Sequence, residues 1–396
     1  MGRMRFVGAV LALACGLEYG VAAEPTISFK KTRLDDKFRS EGVAVADFDL
    51  DGKADVAAGS VWYSAPDWKM HVVREKAEEF KPEGYSDSFV NYADDLNGDG
   101  RPDLLVVDFP GKPTWWFENP KDQTKAWTKH KLTPVTNNES PQYLDLDGDG
   151  KREWIMGTSD DEKNSDGPQR YQAIVRRTAT PNELWTTKRI SAFAAPMTTK
   201  YSHGIGAGDV NKDGRADFLI KDGWWEAPAT ESDAEWTFHP VKFGAESSQI
   251  YVYDVDGDGD NDVINASAHK VGLWWHEQTP EGWKSHVIDE SISQTHAVEL
   301  VDIDGDGLKD IVTGKRYWAH GPKGDVDPGA PAMLVWYKLT RDGGKAIWTQ
   351  REIDRDSGVG TQFQVADING DGLPDVAIAN KKGVFIFEQQ RTTPAR

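Results

Sequence analysis

Short apolar runs flank acidic, glycine-bearing turns along this chain. Gly42-Val43-Ala44-Val45-Ala46 leads into one turn and Leu104-Leu105-Val106-Val107 follows another. Runs of this length bounded by turn residues predict β-strands, so each turn joins the two arms of a hairpin. The turns share one pattern, D-x-[DN]-x-D-G-x-x-[DE]. It begins at Asp47, Asp95, Asp145, Asp209, Asp254, Asp302 and Asp367. A repeat that recurs along the whole chain decides the architecture before any single residue is interpreted. One array is therefore expected in place of separate domains.

Two further strands follow each hairpin. An aromatic strand recurs as Trp115-Trp116-Phe117-Glu118, Trp224-Trp225-Glu226, Trp274-Trp275-His276-Glu277, Trp336-Tyr337 and Phe385-Ile386-Phe387-Glu388. The fourth element reads W-x-x-[HKR], at Trp68/His71, Trp127/His130, Trp185/Lys188, Trp236/His239, Trp283/His286 and Trp348/Arg351. A seventh copy is missing at the end of the chain, but Phe29 and Thr32 carry its spacing near the start. Four strands per repeat, with the first residues completing the last repeat, is how a β-propeller closes its ring. The tryptophans are expected between blades, and His71, His130, His239 and His286 are read as structural repeat residues.

Carboxylates at positions one, three and five of the turn converge if the chain curls tightly. Glycine at position six permits the curl, and the acid at position nine closes an oxygen cage suited to calcium. The expected ligands are Asp47, Asp49, Asp51 and Asp55, then Asp95, Asn97, Asp99 and Asp103, then Asp145, Asp147, Asp149 and Glu153. The fourth and fifth sets are Asp209, Asn211, Asp213 and Asp217, and Asp254, Asp256, Asp258 and Asp262. The last two are Asp302, Asp304, Asp306 and Asp310, and Asp367, Asn369, Asp371 and Asp375. A helical calcium hand would need a glutamate at position twelve. That position holds Ala58, Val106, Met156, Ile220, Asn265, Thr313 or Ile378.

The formal net charge is -19, which argues against nucleic acid and anionic membranes as partners. Turn acids supply 25 of the 65 carboxylates, and seven divalent ions would bring the charge to -5. The acidity is mostly a demand for cations. At the start, Arg3 and Arg5, a short apolar run and small residues at Val21 and Ala23 read as a secretory signal over 1–23. The expected location is secreted or periplasmic, with residues 24–391 as the repeat array and no transmembrane segment. Cys15, the only cysteine, lies in this leader, so the remainder has no disulfide. Acylation of Cys15 is the alternative, weakened by Ala12 where leucine is usual.

With these turns and strands, the sequence resembles the FG-GAP/VCBS repeat family, the calcium-loop propellers that include the integrin α-chain head. The resemblance implies an all-β, seven-bladed β-propeller with a calcium loop between strands one and two of each blade. It does not imply a function. A weaker resemblance is to the propeller part of aldos-2-ulose dehydratase, from which this chain departs by lacking a cupin domain.

Function should then lie where the seven-fold pattern breaks. Spacings between first aspartates are 48, 50, 64, 45, 48 and 65, so the third and sixth repeats are longer. Both insertions are expected between strands two and three, after Met156 and after Thr313, on the face opposite the acidic turns. The residues leading into strand one share that face: Glu41, Phe89, Glu139, His203, Ser248, His296 and Thr361. The strand two-to-three loops add Lys221, His269, Lys270, Lys315, Arg316 and Lys381, with Tyr317, Trp318 and His320 on the sixth insertion. The candidate catalytic residues are His203, His296, Glu41, Glu139, Lys315, Tyr317 and His320. They combine a base, cations for a developing oxyanion and an aromatic platform. His203 and His296 with a glutamate could also hold a transition metal.

Two functions compete. One is a carbohydrate-active lyase or dehydratase acting on a keto-sugar or uronic acid. The other is a non-catalytic glycan- or protein-binding adhesion module, which should show similar ligand residues in most blades. The unequal blades favour one asymmetric site. A monomer is the expected state.

Overall fold

The structure, a computed structural model, describes residues 25–392 apart from 179, 181, 182, 231, 233 and 248. The leader through Ala23, with Cys15, and the lead-in residue Ser248 lie outside the described residues.

The strands form seven antiparallel four-stranded sheets, the blades of a β-propeller. Blade one holds Ala44–Ala46, Asp55–Ala58, Val61–Ser64 and Lys69–Val72, and blade two Val90–Asp94, Asp103–Val107, Lys112–Glu118 and Thr128–Thr136. Blade three holds Gln142–Leu144, Glu153–Ser159, Arg170–Arg176 and Thr186–Arg189, and blade four Gly206–Gly208, Asp217–Ile220, Gly223–Glu226 and Thr237–Pro240. Blade five holds Tyr251–Tyr253, Asp262–Ala266, Val271–Thr279 and Gly282–Ser293, and blade six Val298–Val301, Asp310–Gly314, Leu334–Asp342 and Lys345–Asp354. Blade seven takes Phe363–Ala366, Asp375–Asn380 and Gly383–Thr392 from the end of the chain. Its outer strand is Thr26–Asp35, paired from Thr26↔Thr392 to Asp35↔Val384.

Each acidic turn sits between strands one and two, and its position-nine acid is the first residue of strand two. That acid is a structural tie. It accepts the position-two backbone N–H, from Phe48, Leu96, Leu146, Val210, Val255, Ile303 and Ile368, at 2.9–3.0 Å. In six blades its other oxygen accepts an N–H of strand three or of the residue just past it, from Ala65, Asn119, Ala227, Gln278, Leu339 and Gln389. The position-six glycines have φ of 81 to 99°, a left-handed conformation that side chains with a Cβ rarely adopt.

The position-two side chain points between blades. Phe48 of blade one packs in a cluster with Leu104, Phe117 and Trp127 of blade two, and meets Trp127 edge-on at 5.7 Å. Side-chain amides stitch the same seams: Asn119, Gln278 and Gln389 donate to the carbonyls of Phe48, Val210 and Ile303 in the preceding blade. The hydrophobic core is thus distributed over the seams. Within blades, His71, His130, His239 and His286 stack on Trp62, Trp116, Trp224 and Trp275 at 4.2–4.3 Å. Three of them also pair with Glu118, Glu226 and Glu277, which accounts for these histidines structurally.

Phe48→Ala should cost about 3–5 kcal/mol, because a large ring leaves a seam that cannot collapse. Denaturant unfolding measures it. Deleting residues 26–34 should strip blade seven of its outer strand and expose a pairing edge, giving aggregation in light scattering. A soluble truncation that melts like the parent would contradict ring closure by this strand.

Candidate functional site

On the face opposite the acidic turns, the residues leading into strand one meet. Glu139 precedes blade three, His203 blade four, His296 blade six and Glu41 blade one. The Glu139 carboxylate Oε2 lies 3.3 Å from Nε2 of His203 and 3.3 Å from Nε2 of His296. Two residues from strand two-to-three loops complete the group. His269 Nε2 is 2.9 Å from His203 Nε2. Arg316 Nη1 donates to Glu139 Oε2 at 3.1 Å, and its Nη2 pairs with Glu41. Arg316 reaches the axis because its backbone is pinned between neighbours, with its N–H on Gln294 O and a bridge to Val359.

Glu41, Glu139, His203, His296 and Arg316 are all buried. Burial acts against ionised Glu139, but His203, His296 and Arg316 outweigh it and hold its carboxyl well below the usual value. Burial pushes His269 down to about 3, with His203 and Arg316 adding to the effect, and drives His296 well below its ordinary value. Both are therefore neutral imidazoles at pH 7, the state that can bind a metal.

Glu139, His203 and His269 of this group line a cavity of about 610 Å³, whose walls also include Tyr85, Phe109, Lys200, Tyr201, Glu246 and His320. His320 is exposed, with its ring 4.6 Å from that of His269 and Nδ1 3.5 Å from Asp325 Oδ1. Two other candidates are placed elsewhere. Lys315 is buried and donates to Ser293 Oγ, Gln294 Oε1 and Val326 O, holding the sixth insertion down. Tyr317 stacks on Trp318 at 5.2 Å beneath the Lys382 ammonium.

The sixth insertion does run between strands two and three, as residues 315–333, and contains a helical turn at Gly321–Gly324. The third differs from expectation. Only 160–169 lie in the strand two-to-three loop, while residues 190–205 connect the outer strand to blade four. A spacing between aspartates counts both segments together, so it could not place the extra length. Lys200 and Tyr201, on that connection, and Tyr85, on the one into blade two, escaped sequence reading because they lie outside the repeated motifs. His269 and Arg316 were visible as polar loop residues, but nothing in sequence marked them as partners of Glu139.

In the acidic turns, ligand oxygens of Asp47, Asp49 and Asp55 lie within 4.8 Å of one another, as do those of Asp145, Asp147 and Glu153, of Asp254, Asp256 and Asp262, and of Asp302, Asp304 and Asp306. Such oxygen sets fit calcium. Burial, with neighbouring turn acids adding to it, pushes Asp55, Asp103, Asp262 and Asp310 up to about 7 despite their backbone N–H partners. The residue opposite position nine on strand three varies. It is Glu118, Glu226, Glu277 and Glu388 in four blades, but Arg176 in blade three and Lys338 in blade six. Lys338 Nζ pairs with Asp304 and lies 3.4 Å from Asp306, while Arg176 is 3.7 Å from Asp147.

The seven sheets and the repeats on them define a repeat-built propeller with an acidic turn in each blade. FG-GAP-like repeats match residues 95–156 and 254–313, and an FG-GAP repeat matches 359–385. The chain is an FG-GAP-repeat β-propeller. No curated protein matches it in sequence. Similar solved structures include an Agrocybe aegerita lectin that recognises non-reducing terminal N-acetylglucosamine, 15% identical over 83% of this chain and 81% of that one, with a TM-score of 0.41. The rhamnogalacturonan lyase YesW is 13% identical over 93% of this chain and 74% of that one, with a TM-score of 0.44. BBS1N, in complex with ARL6DN, is 11% identical over 90% and 93%, with a TM-score of 0.49. Among the described residues no helix is long and apolar enough to cross a membrane.

Two buried histidines, His276 and His296, and the half-buried His269 set the acid response. Burial pushes His276 down to about 4, His269 to about 3, and His296 well below its ordinary value. A depressed folded value gives stability that is present above the unfolded value, near 6.5, and is lost as pH falls below it. In saturating calcium, His269 and His276 should each withdraw about 2 kcal/mol between pH 7 and pH 5, with His296 acting in the same direction. Melting temperature against pH measures this loss, and His276→Gln should flatten part of the slope.

Proposed function

We propose that this protein is a secreted, calcium-stabilised propeller whose one asymmetric mouth acts on carbohydrate as a carbon–oxygen lyase or dehydratase. The substrate class is a keto-sugar or uronic acid. One observation carries the reading: Glu139, His203 and His269, joined to the buried His296 and Arg316, line a cavity with aromatic walls and the Lys200 ammonium. Aromatic faces suit sugar rings, and Lys200 suits a carboxylate.

Elimination removes a proton α to a carbonyl, forms a carbon–carbon double bond and expels the β oxygen, which must gain a proton. His320 is the candidate base, because it is exposed to the cavity and Asp325 orients its ring. Tyr201, which also lines the cavity, is the candidate proton donor to the leaving oxygen. The glycan-binding alternative uses the same cavity without turnover.

Polyuronates and keto-sugars should therefore yield an unsaturated product absorbing in the ultraviolet. His320→Ala should lower kcat by about 10²–10⁴-fold with the melting temperature unchanged. Glycan binding without any turnover in the parent protein would leave the binding module as the better reading.

The calcium part has its own test. EDTA should lower the melting temperature and added calcium should restore it, since ions that bind only the folded state stabilise by mass action. Lys338 occupies the sixth turn's carboxylates, so Lys338→Gln should strengthen calcium binding there, read by calorimetric titration. An unchanged melt after exhaustive chelation overturns structural calcium.

A further inference from the structure

The floor of the cavity has more nitrogen donors than its hydrogen bonds use. Rings of His203, His269 and His296 stand nearly perpendicular to one another, at 77 to 86°, with centroids 4.3, 4.9 and 5.6 Å apart. One nitrogen from each lies within 4.8 Å of the other two. The Nδ1 atoms of all three rings are buried without a hydrogen-bond partner. His296, 0% exposed, has no partner on Nε2 either, because Glu139 at 3.3 Å lacks hydrogen-bond alignment.

A wholly protein-made network accounts poorly for this. Nε2 of His203 and Nε2 of His269 face each other at 2.9 Å, so one ring must donate and the other accept. The Glu139 oxygen then needs a proton from His203 or His296 as well. Each unpartnered buried polar atom costs about 1–3 kcal/mol. Glu41 and Glu139 share the Arg316 guanidinium, and one Glu41 oxygen has no partner. Buried carboxylates beside buried, unpartnered imidazole nitrogens are a setting for a divalent cation.

We infer that His203, His269 and His296, with Glu139, form a mononuclear site for a first-row transition metal such as zinc, cobalt or manganese. Three imidazoles and one carboxylate exclude calcium, which takes oxygen ligands, and select borderline metals. Arg316 and Glu41 lie behind Glu139 and orient it, as groups beyond the ligands commonly do. The donors come from blades three, four, five and six, so the ion would tie four blades at the mouth. His320 lies beside His269 and opens the site to the cavity. This site stands whether or not the cavity catalyses elimination, and its test uses no substrate.

The full-length protein should be stripped of metal, returned to excess calcium to fill the acidic turns, and titrated with Co2+. The expected result is about one equivalent of cobalt per chain, with visible absorption bands of a nitrogen-ligated ion. His269→Ala should abolish those bands and weaken cobalt binding by at least about 100-fold, while calcium binding and the melt in calcium stay as in the parent. His296→Gln provides a second variant should the first fold poorly. Cobalt binding that is equal in parent and variants, or absent from a folded parent in calcium, would overturn the site and leave a hydrogen-bonded polar plug.

Discussion

The whole ring depends on a buried carboxylate that holds two backbone N–H groups at once. Asp103 takes the N–H of Leu96 in the turn and of Asn119 beyond strand three. One side chain therefore fixes the turn, the start of strand two and the end of strand three. Because the position-two residue it anchors packs against the next blade, the tie also sets the seam between blades. Burial raises this acid toward about 7, so the folded, cation-free turn resists the charge that neutral pH imposes on it. A divalent ion reverses that cost, which is the physical ground for proposing calcium as a folding partner and not a regulator.

A seven-fold scaffold can form a single chemical site only by departing from its own symmetry. Among the described residues, the position six before a first aspartate leads into strand one in six blades, so the topology brings six side chains to one end of the ring without choosing them. Four are ionisable, and all four are buried. Charges at such depth persist only when paired. Arg316 supplies that pairing for both glutamates from an insertion that no other blade carries. Blade six thus contributes a histidine, the arginine and the His320 arm to one location.

The repeat made most of the architecture legible. Turn glycines, aromatic strands and the displaced Phe29–Thr32 element each reflect a local rule that sequence records directly. Convergence of Glu139, His203 and His296 was legible for the same reason, since register within a repeat fixes height along the axis. His269 and Arg316 belong to loops, whose direction depends on tertiary pinning such as the Arg316↔Val359 bridge. Lys315 shows the converse. Adjacent to Arg316 in sequence, it points the other way, because successive residues leaving a strand face opposite sides and its ammonium finds three oxygens under the insertion.

The two longer repeats differ on both faces of the ring. Blades three and six carry the added mouth segments, and the same two blades place Arg176 and Lys338 where four others have glutamate opposite position nine. Those cations lie against the acids of their own turns, so part of the charge that calcium would neutralise is neutralised from within. Arg215 meets Asp213 and Lys53 meets Asp51 in other turns, so what separates blades three and six is where the counter-charge comes from: strand three, and not the turn itself.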